Sequence, residues 1–347
     1  MRPAQLLRVL DREFVSTAEG HHTPVMLWGP PGVGKSQMVA QVAARHGAPV
    51  IDIRLSQMGP TDLRGLPYRI GDRAEWAIPS MLPDADRDGP EGILFLDEIT
   101  SAPPSVSAAA YQLILDRRLG DYQVPPHWAI FAAGNRQGDR GVTYSMPAPL
   151  ANRFSHFEVE THLDDWVSWA YASGIDERVI AFLRFRPELL FDFDPAHNPV
   201  AFPSPRSWEF AHRGLRKFED HPELLQGTLQ ACVGLAAGIE LTAFVSNLDQ
   251  MPDLDAIVAG EAVQVPKEID LQYAVAAALV GRAIRARPCD NWATVVGNIL
   301  TYARRFPQRE MGVMLVSDLH RAIGAALFEV PAFADWAQAV ADVMLYE

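Results

Sequence analysis

Cysteine, positive charge and long hydrophobic runs are all scarce in this sequence of 347 residues. Its two cysteines, Cys232 and Cys289, are far apart and lack metal-ligand spacing, which indicates reduced thiols in a cytosolic protein. No apolar run approaches the roughly 20 residues of a membrane span, and the most apolar segment, 273–280, is short. The N-terminus is too polar for a secretory signal. We therefore expect a cytoplasmic protein with no membrane span.

Basic residues are outnumbered, with 30 lysines and arginines against 43 acidic residues and a net charge of −13. Nucleic-acid binding depends on positive charge facing the phosphates, so this balance argues against a wide nucleic-acid surface. It leaves room for a small basic patch in a pore. The length predicts two domains, or one large domain with an appendage.

One glycine-rich stretch carries the strongest functional signal. Residues 29–36 read Gly-Pro-Pro-Gly-Val-Gly-Lys-Ser, which fits the G-x-x-x-x-G-K-[ST] pattern of a phosphate-binding loop. The apolar run 24–28 before it predicts a buried strand, and 37–45 after it predicts a helix. In that context the loop N–H groups point at phosphates, and the helix N-terminus adds favourable partial charge. The predicted nucleotide-binding residues are Gly29, Pro30, Pro31, Gly32, Val33, Gly34, Lys35, Ser36 and Gln37.

Two carboxylates follow a later apolar run. Residues 91–98 end in Asp97 and Glu98, and a continuous apolar run fits a strand buried on both faces of a parallel sheet. Side chains at the end of such a strand lie at the carboxyl edge, where α/β proteins bind ligands. In this interpretation Ser36 and Asp97 hold Mg²⁺, Lys35 neutralises the terminal phosphates, and Glu98 polarises the attacking water. Two solvated strand-end acids are the alternative.

Two further polar residues fit the same kind of site. Asn135 ends another continuous apolar strand, 128–133, where its amide can orient a water near the γ-phosphate. Arg153 precedes the strand-like run 155–159. It is either an ordinary surface residue or a finger donated to the phosphate of a neighbouring subunit, where it stabilises developing negative charge.

The second half of the chain has a helical pattern. From residue 163 onward apolar residues recur at helical spacing, so we place a domain boundary near 160. Pro205 marks a predicted helix start and puts Arg206 on the first turn. In the first half, the stretch 58–83 is rich in Pro and Gly and predicts a helix interrupted by a hairpin near 68–79, and 119–126 predicts a short turn or hairpin.

The full set of motifs resembles the AAA+ ATPases, most closely the MoxR-type group, which is placed with the dynein-related AAA domains. The residues that carry the resemblance are 29–36, 94–98, 132–135, 150–154 and 204–206. It implies an α/β fold with a P-loop NTPase core, a parallel sheet between helices, over 1–160. The order and spacing of the motifs match over about residues 20–215. We expect an all-α lid over 161–250 and, from the helical pattern alone, a helical C-terminal extension over 251–347. The resemblance also implies that Asn135 is the sensor 1 residue, Arg153 the arginine finger and Arg206 the sensor 2 arginine.

The resemblance further implies binding of ATP and Mg²⁺ and a homo-oligomeric ring, usually hexameric, with ATP sites at the subunit interfaces. Such rings are chaperone-like machines that remodel or activate partner proteins, many of them with a partner containing a von Willebrand factor A domain. Two alternatives stay open: a nucleic-acid motor or loader, for which some related rings use GTP, and a scaffold that needs ATP only to assemble. The acidic balance argues against the first. The joint presence of Glu98, Asn135 and Arg153 argues against the second.

Overall fold

The structure is a computed structural model that describes residues 1–136, 138–139, 144–194 and 200–340. The chain forms two compact units, the first built from Met1–Thr161 and the second from His162–Phe193 with the described residues from 200 onward. The division lies beside residue 160, where buried strands give way to amphipathic helices.

A five-stranded parallel sheet is the centre of the first unit. The strands are β1 (Val25–Trp28), β2 (Val50–Arg54), β3 (Leu66–Ile70), β4 (Arg73–Ala77), β5 (Glu91–Asp97), β6 (Arg118–Leu119), β7 (Tyr122–Gln123), β8 (His127–Gly134) and β9 (Ser155–Glu158). The parallel sheet has the order β2-β5-β8-β1-β9. Both β5 and β8 are buried along almost their whole length, as strands covered on two faces must be. The predicted parallel α/β core is confirmed.

Proline and glycine mark several of the helix ends in the first unit. The helices are α1 (Pro3–Ser16), α2 (Lys35–His46), α3 (Pro60–Arg64), α4 (Ala85–Asp88), α5 (Pro104–Asp116) and α6 (Ala148–Ala151). Proline occupies the first helical position of α1 and α5, where its missing N–H removes no helical hydrogen bond. Helix α2 ends at Gly47, whose φ of 63° closes the last turn.

Antiparallel hairpins lie near both segments, 68–79 and 119–126, that interrupt the alternation of strands and helices. Strand β3 pairs with β4 from Leu66 opposite Ala77 to Ile70 opposite Arg73, around a turn at Gly71. Strands β6 and β7 form a shorter hairpin around Gly120. Every residue of β3 and β4 is exposed, so this hairpin does not pack into the core.

The second unit is helical. Its helices are α7 (Leu163–Ala172), α8 (Glu177–Phe185), α9 (Pro205–Lys217), α10 (Pro222–Val233), α11 (Leu235–Ser246), α12 (Leu254–Ala259), α13 (Ile269–Ala286), α14 (Trp292–Ala303), α15 (Arg309–Ile323) and α16 (Pro331–Ala339). One hydrophobic core includes Phe182 of α8, Leu279 of α13 and Leu315 of α15. A buried Arg184–Asp318 ion pair joins α8 to α15. The core therefore continues across residue 250, where the sequence suggested a boundary between lid and extension.

One helical stretch in the described part of the chain, 309–329, is long and apolar enough to cross a membrane by length and composition alone. The expectation that no run approaches a membrane span overlooked it, because charged residues interrupt its apolar pattern. Its side chains Leu315, Leu319 and Ile323 are buried in the core of the second unit.

A buried histidine connects α1 to the central sheet. The His22 ring accepts the Ile130 N–H at Nε2 (2.8 Å), and its Nδ1 lies 3.2 Å from the Glu13 carbonyl oxygen. These contacts require a neutral ring with the proton on Nδ1. Burial first, and the charge of Arg117 second, lower the pKa of His22 to about 4, against the opposing effect of its two backbone hydrogen bonds. His22, which lies just before β1, thereby supplies a hydrogen-bond acceptor to the Ile130 N–H of β8.

Acidification is expected to destabilise the first unit through His22. The pKa of about 4 lies below the ordinary value of 6.5, so the contribution is complete above pH 6.5 and is lost as the pH falls towards 4. The linkage predicts a loss of about 2 to 3 kcal/mol in the free energy of unfolding by about pH 4.5. Urea unfolding followed by tryptophan fluorescence measures it. His22→Gln, which does not titrate, should show a smaller pH dependence, and parallel curves would contradict the assignment.

Candidate functional site

The glycine-rich loop joins the end of β1 to the start of α2. Its backbone is left-handed at Gly32 (φ 85°) and Gly34 (φ 96°), conformations that residues with a Cβ rarely adopt. At Gly29 a Cβ atom would lie 3.3 Å from Val33 and 3.4 Å from Val159. No side chain caps the first turn of α2. The N–H groups of that turn are therefore oriented towards the loop, as in an anion-binding site.

Lys35, the first residue of α2, reaches across the loop. Its Nζ donates to the backbone oxygens of Gly29 (2.6 Å) and Pro30 (3.0 Å), and to Oδ1 of Asn135 (3.1 Å). Asn135 directly follows β8, the strand that pairs with β1. The ammonium group therefore lies between the loop and the end of the neighbouring strand, where it can neutralise a phosphate held by the loop.

Ser36 and Asp97 are brought together across the sheet edge. The Ser36 hydroxyl donates to Oδ2 of Asp97 over 3.0 Å, and Oδ1 of Asp97 accepts the Glu98 N–H at 2.9 Å. A hydroxyl and a carboxylate oxygen side by side are the ligand types that Mg²⁺ prefers, with water and phosphate oxygens completing its shell. The chemistry of this pair fits a magnesium site that is shared with a nucleotide.

Glu98 has an unusual backbone and a specific partner. Its φ of 57° places it in the left-handed region, which non-glycine residues adopt at a cost and often at functional sites. The Glu98 carboxylate accepts a hydrogen bond from the hydroxyl of Ser56, in the turn after β2. Glu98 is thus held on the side of β2 in this conformation.

Asn135 is positioned by close packing at the end of β8. Its N–H donates to Oγ1 of Thr100 (3.2 Å), and the Thr100 hydroxyl is 3.3 Å from the Asn135 carbonyl oxygen. A Cβ at Gly134 would lie 2.7 Å from Thr100 Oγ1 and 2.8 Å from Met26 Cε. Only glycine permits this approach, so Gly134 sets the distance between Asn135 and the turn after β5.

Negative charge accumulates at this edge. Burial raises the pKa of Asp52, and the neighbouring charges of Asp97 and Glu98 raise it further, while Arg54 opposes them. Arg54 is the register partner of Asp97 in the parallel pairing of β2 with β5. Like charges this close favour a bound cation, because it relieves their repulsion.

Among the described residues, the hydrogen bonds that join this cluster involve neither of the two candidate arginines. Arg153 follows α6 and is exposed, and within the described residues its guanidinium has no hydrogen bond or ion pair. Arg206 belongs to the second unit, on the first turn of α9, where the Ser204 hydroxyl caps the helix. The structure brings Lys35, Ser36, Asp97, Glu98 and Asn135 together. Arg153 and Arg206 were predicted for the same site. Their roles stay predictions.

Ser56, Thr100 and Asp52 were missed by sequence reasoning. Each is a common residue type at or near the end of a strand, so no motif marks it. For Ser56 the sequence did offer a clue. It closely follows a predicted strand, and the carboxyl ends of parallel strands share one edge of the sheet. Only the sheet order, with β2 beside β5, shows that it faces Glu98.

Residues 24–154 match the model of the AAA domain, dynein-related subfamily. The denitrification regulatory protein NirQ of Pseudomonas aeruginosa is 35% identical over 107 residues, which cover 30% of this chain and 40% of NirQ. Protein NorQ of Paracoccus denitrificans is 34% identical over 151 residues, covering 41% of this chain and 54% of NorQ. The chain thus aligns with about half or less of these relatives' length.

Among solved structures, the Holliday junction branch migration motor RuvB of Thermotoga maritima is similar at 16% identity. The superposition covers 90% of this chain and 80% of RuvB, with a TM-score of 0.35. Likeness at this level says nothing about a substrate.

Asp97→Asn is expected to weaken nucleotide binding only when Mg²⁺ is present. A fluorescent ATP analogue should bind about 10- to 100-fold more weakly to the variant in Mg²⁺, because a metal-orienting oxygen loses its charge, and equally well in EDTA. Fluorescence titration gives both dissociation constants. Asp52→Asn is the matched control, since it removes a charge from the same edge and leaves the Ser36–Asp97 pair intact. An equal effect of both variants would contradict the assignment.

Proposed function

We propose that the chain is a MoxR-type ATPase that remodels or activates a partner protein, because residues 24–154 match the model of the AAA domain, dynein-related subfamily. An AAA domain implies nucleotide binding and hydrolysis in general; ATP, Mg²⁺ and the partner are the proposed refinements. The observation that carries the ATPase proposal is the convergence of Lys35, Ser36, Asp97, Glu98 and Asn135 at one edge of the sheet.

Each of these side chains has a task in phosphoryl transfer. Lys35 neutralises the terminal phosphates, and Ser36 with Asp97 would hold Mg²⁺, which supplies further neutralisation of phosphate charge when bound. Asn135 already accepts a hydrogen bond from Lys35, so its amide lies next to the phosphate position and can orient a water. Glu98 acts as the base that polarises this water.

Glu98 must move before it can act. Its carboxylate is engaged by the Ser56 hydroxyl in this conformation, so catalysis requires that it exchange this partner for the attacking water. The left-handed backbone at Glu98 and the Asp97 bond to its N–H limit the motion to the side chain. Ser56 therefore keeps the base away from water until a nucleotide reorganises the edge.

Glu98→Gln is expected to retain ATP binding and lose hydrolysis by about 10²- to 10⁴-fold, because an amide cannot act as the base. Phosphate release measures turnover and a fluorescent nucleotide measures binding. Glu91→Gln is the matched control, since Glu91 begins the same strand at its opposite end. Undiminished hydrolysis in Glu98→Gln would refute the role of Glu98. ATP-dependent assembly by a wild-type chain that does not hydrolyse ATP would favour the scaffold.

We further propose a homo-oligomeric ring in which Arg153 completes the site of the neighbouring subunit. Its exposed position after α6, without a partner among the described residues, supports a contact made outside its own chain. An arginine supplied in this way stabilises the charge of the transferred phosphoryl group. Arg206 is proposed to act on the same nucleotide from the helical unit. A cytoplasmic location is proposed from the sparse cysteines alone.

The exposed β3–β4 hairpin favours a protein partner over nucleic acid. Leu66, Tyr68 and Ile70 of β3 and Trp76 of β4 are all exposed, and the hairpin stands free of the core. Exposed apolar clusters of this kind mark protein interaction sites. A nucleic-acid surface needs an excess of positive charge, and in this hairpin Asp72 and Glu75 balance Arg69 and Arg73. A partner with a von Willebrand factor A domain is proposed on the family resemblance alone.

Tyr68→Ser with Trp76→Ser is expected to leave basal ATP hydrolysis unchanged and to remove the retention of partner proteins. Retention is measured by pull-down from extract with the Glu98→Gln variant in ATP, followed by mass spectrometry. The matched control is Leu235→Ser with Ile239→Ser, which removes equally exposed apolar side chains from the helical unit. If DNA or RNA stimulates hydrolysis, and this stimulation weakens with added salt and is the same in the hairpin variant, the nucleic-acid motor is favoured instead.

A further inference from the structure

One histidine connects the strand before the phosphate loop to the turn that carries Arg153. Trp28 Nε1 donates to Nδ1 of His156 over 2.9 Å, and the two rings are inclined by only 21° with centroids 5.9 Å apart. His156 Nε2 lies 2.7 Å from the carbonyl oxygen of Ala151. Since Nδ1 accepts, Nε2 must carry the proton and donate. The His156 ring is therefore held at both nitrogens.

Both ends of this connection reach functional segments. Trp28 is the last residue of β1 and precedes Gly29, the first residue of the loop. Ala151 is the last residue of α6, two positions before Arg153. The Ala151 carbonyl oxygen also accepts the Phe154 N–H at 3.2 Å, so it closes the turn that contains Arg153.

The turn has a second contact to the same histidine. The ring of Phe154 is buried and meets the His156 ring edge to face, with centroids 6.1 Å apart. The Arg153 N–H donates to Leu150 at 2.9 Å. His156 thus contacts the turn on both sides of Arg153, while the guanidinium itself has no partner among the described residues.

We propose that His156 is a positioning residue for Arg153, held by Trp28 and holding the Ala151 carbonyl. The proposal rests on the proposed function, in which Arg153 acts on the nucleotide of the neighbouring subunit. A long exposed side chain needs a rigid base to deliver its charge, because a misplacement of about 1 Å can cost a catalytic group about 10²-fold in rate. His156 supplies this rigid support. It is itself held by Trp28 of β1, the strand that carries the subunit's own loop.

The geometry links two sites within the ring. The loop after Trp28 binds the nucleotide of its own subunit, and Arg153 serves the next one. A displacement of β1 on nucleotide binding would reach the turn of Arg153 through the Trp28–His156 contact as well as through the backbone pairing of β1 with β9. The effect of His156 itself is expected in the neighbour's site and not in its own.

Mixed rings separate these two sites. Arg153→Ala subunits keep a working loop and lack the arginine, whereas Lys35→Ala subunits keep the arginine and lack a working loop. Mixing the two should recover hydrolysis at interfaces where an intact arginine meets an intact loop. His156→Phe in the Lys35→Ala subunit should lower the kcat of the recovered hydrolysis about 10- to 100-fold with KM for ATP unchanged. The same substitution in the Arg153→Ala subunit should have no effect.

Matched variants control for general damage. Trp28→Phe removes only the donor to His156 and should reproduce the loss when placed in the arginine-donating subunit. Trp128→Phe makes the same change in β8, where Nε1 donates to Gly89, and His46→Phe replaces another ring that contacts a phenylalanine and an aspartate. Neither control should alter the recovered rate, and size-exclusion chromatography checks assembly.

The outcomes distinguish the two proposals. Absence of recovered hydrolysis in the unmodified mixture would overturn the placement of Arg153 in the neighbour's site, and with it the proposed function of that residue. If the kcat of the recovered hydrolysis is unchanged by His156→Phe in the arginine-donating subunit, the positioning role is overturned. A loss that follows His156→Phe in the loop-bearing subunit would overturn it as well, because His156 would then act on its own loop.

Discussion

The parallel alignment of five strands is the constraint on which the candidate site depends. Since all five point the same way, their carboxyl ends meet at one edge, and residues from distant parts of the chain become neighbours there. The hydrogen bond from Lys35 to Asn135 joins the ends of β1 and β8, and the one from Ser36 to Asp97 reaches the end of β5. Close packing at Gly134 keeps these ends at a fixed distance.

Three carboxylates, those of Asp52, Asp97 and Glu98, lie close together at this edge. They repel one another, and Lys35 is already turned towards the loop carbonyls and Asn135. A nucleotide with its cation would replace these internal contacts with stronger ones to phosphate. The same exchange would free Glu98 from Ser56. Arg153 is exposed, and within the described residues its guanidinium makes no hydrogen bond or ion pair.

Sequence reasoning was most successful where local chemistry and position coincide. The parallel α/β core and the resemblance to the dynein-related AAA domains are confirmed, and the glycine-rich stretch 29–36 does join a strand to a helix. Glycine spacing and continuous apolar strands can be recognised without tertiary contacts. Phosphate binding by the stretch stays a prediction. The hydrogen bonds of Ser56, Thr100 and His156 were not predicted, since serine, threonine and histidine at strand ends have no distinctive pattern. The core that continues across residue 250 was missed because helix pairing depends on which faces meet.

The sequence by itself determined the phosphate loop, the strand-end carboxylates and the helical second half, because glycine spacing and hydrophobic periodicity act over a few residues. Only the tertiary structure decided that Ser56 holds Glu98 and that His156 lies between Trp28 and Ala151. Both contacts arise from strand order, which places β2 beside β5 and β9 beside β1. Strand order is set by the packing of the whole sheet, and no local stretch of the chain encodes it.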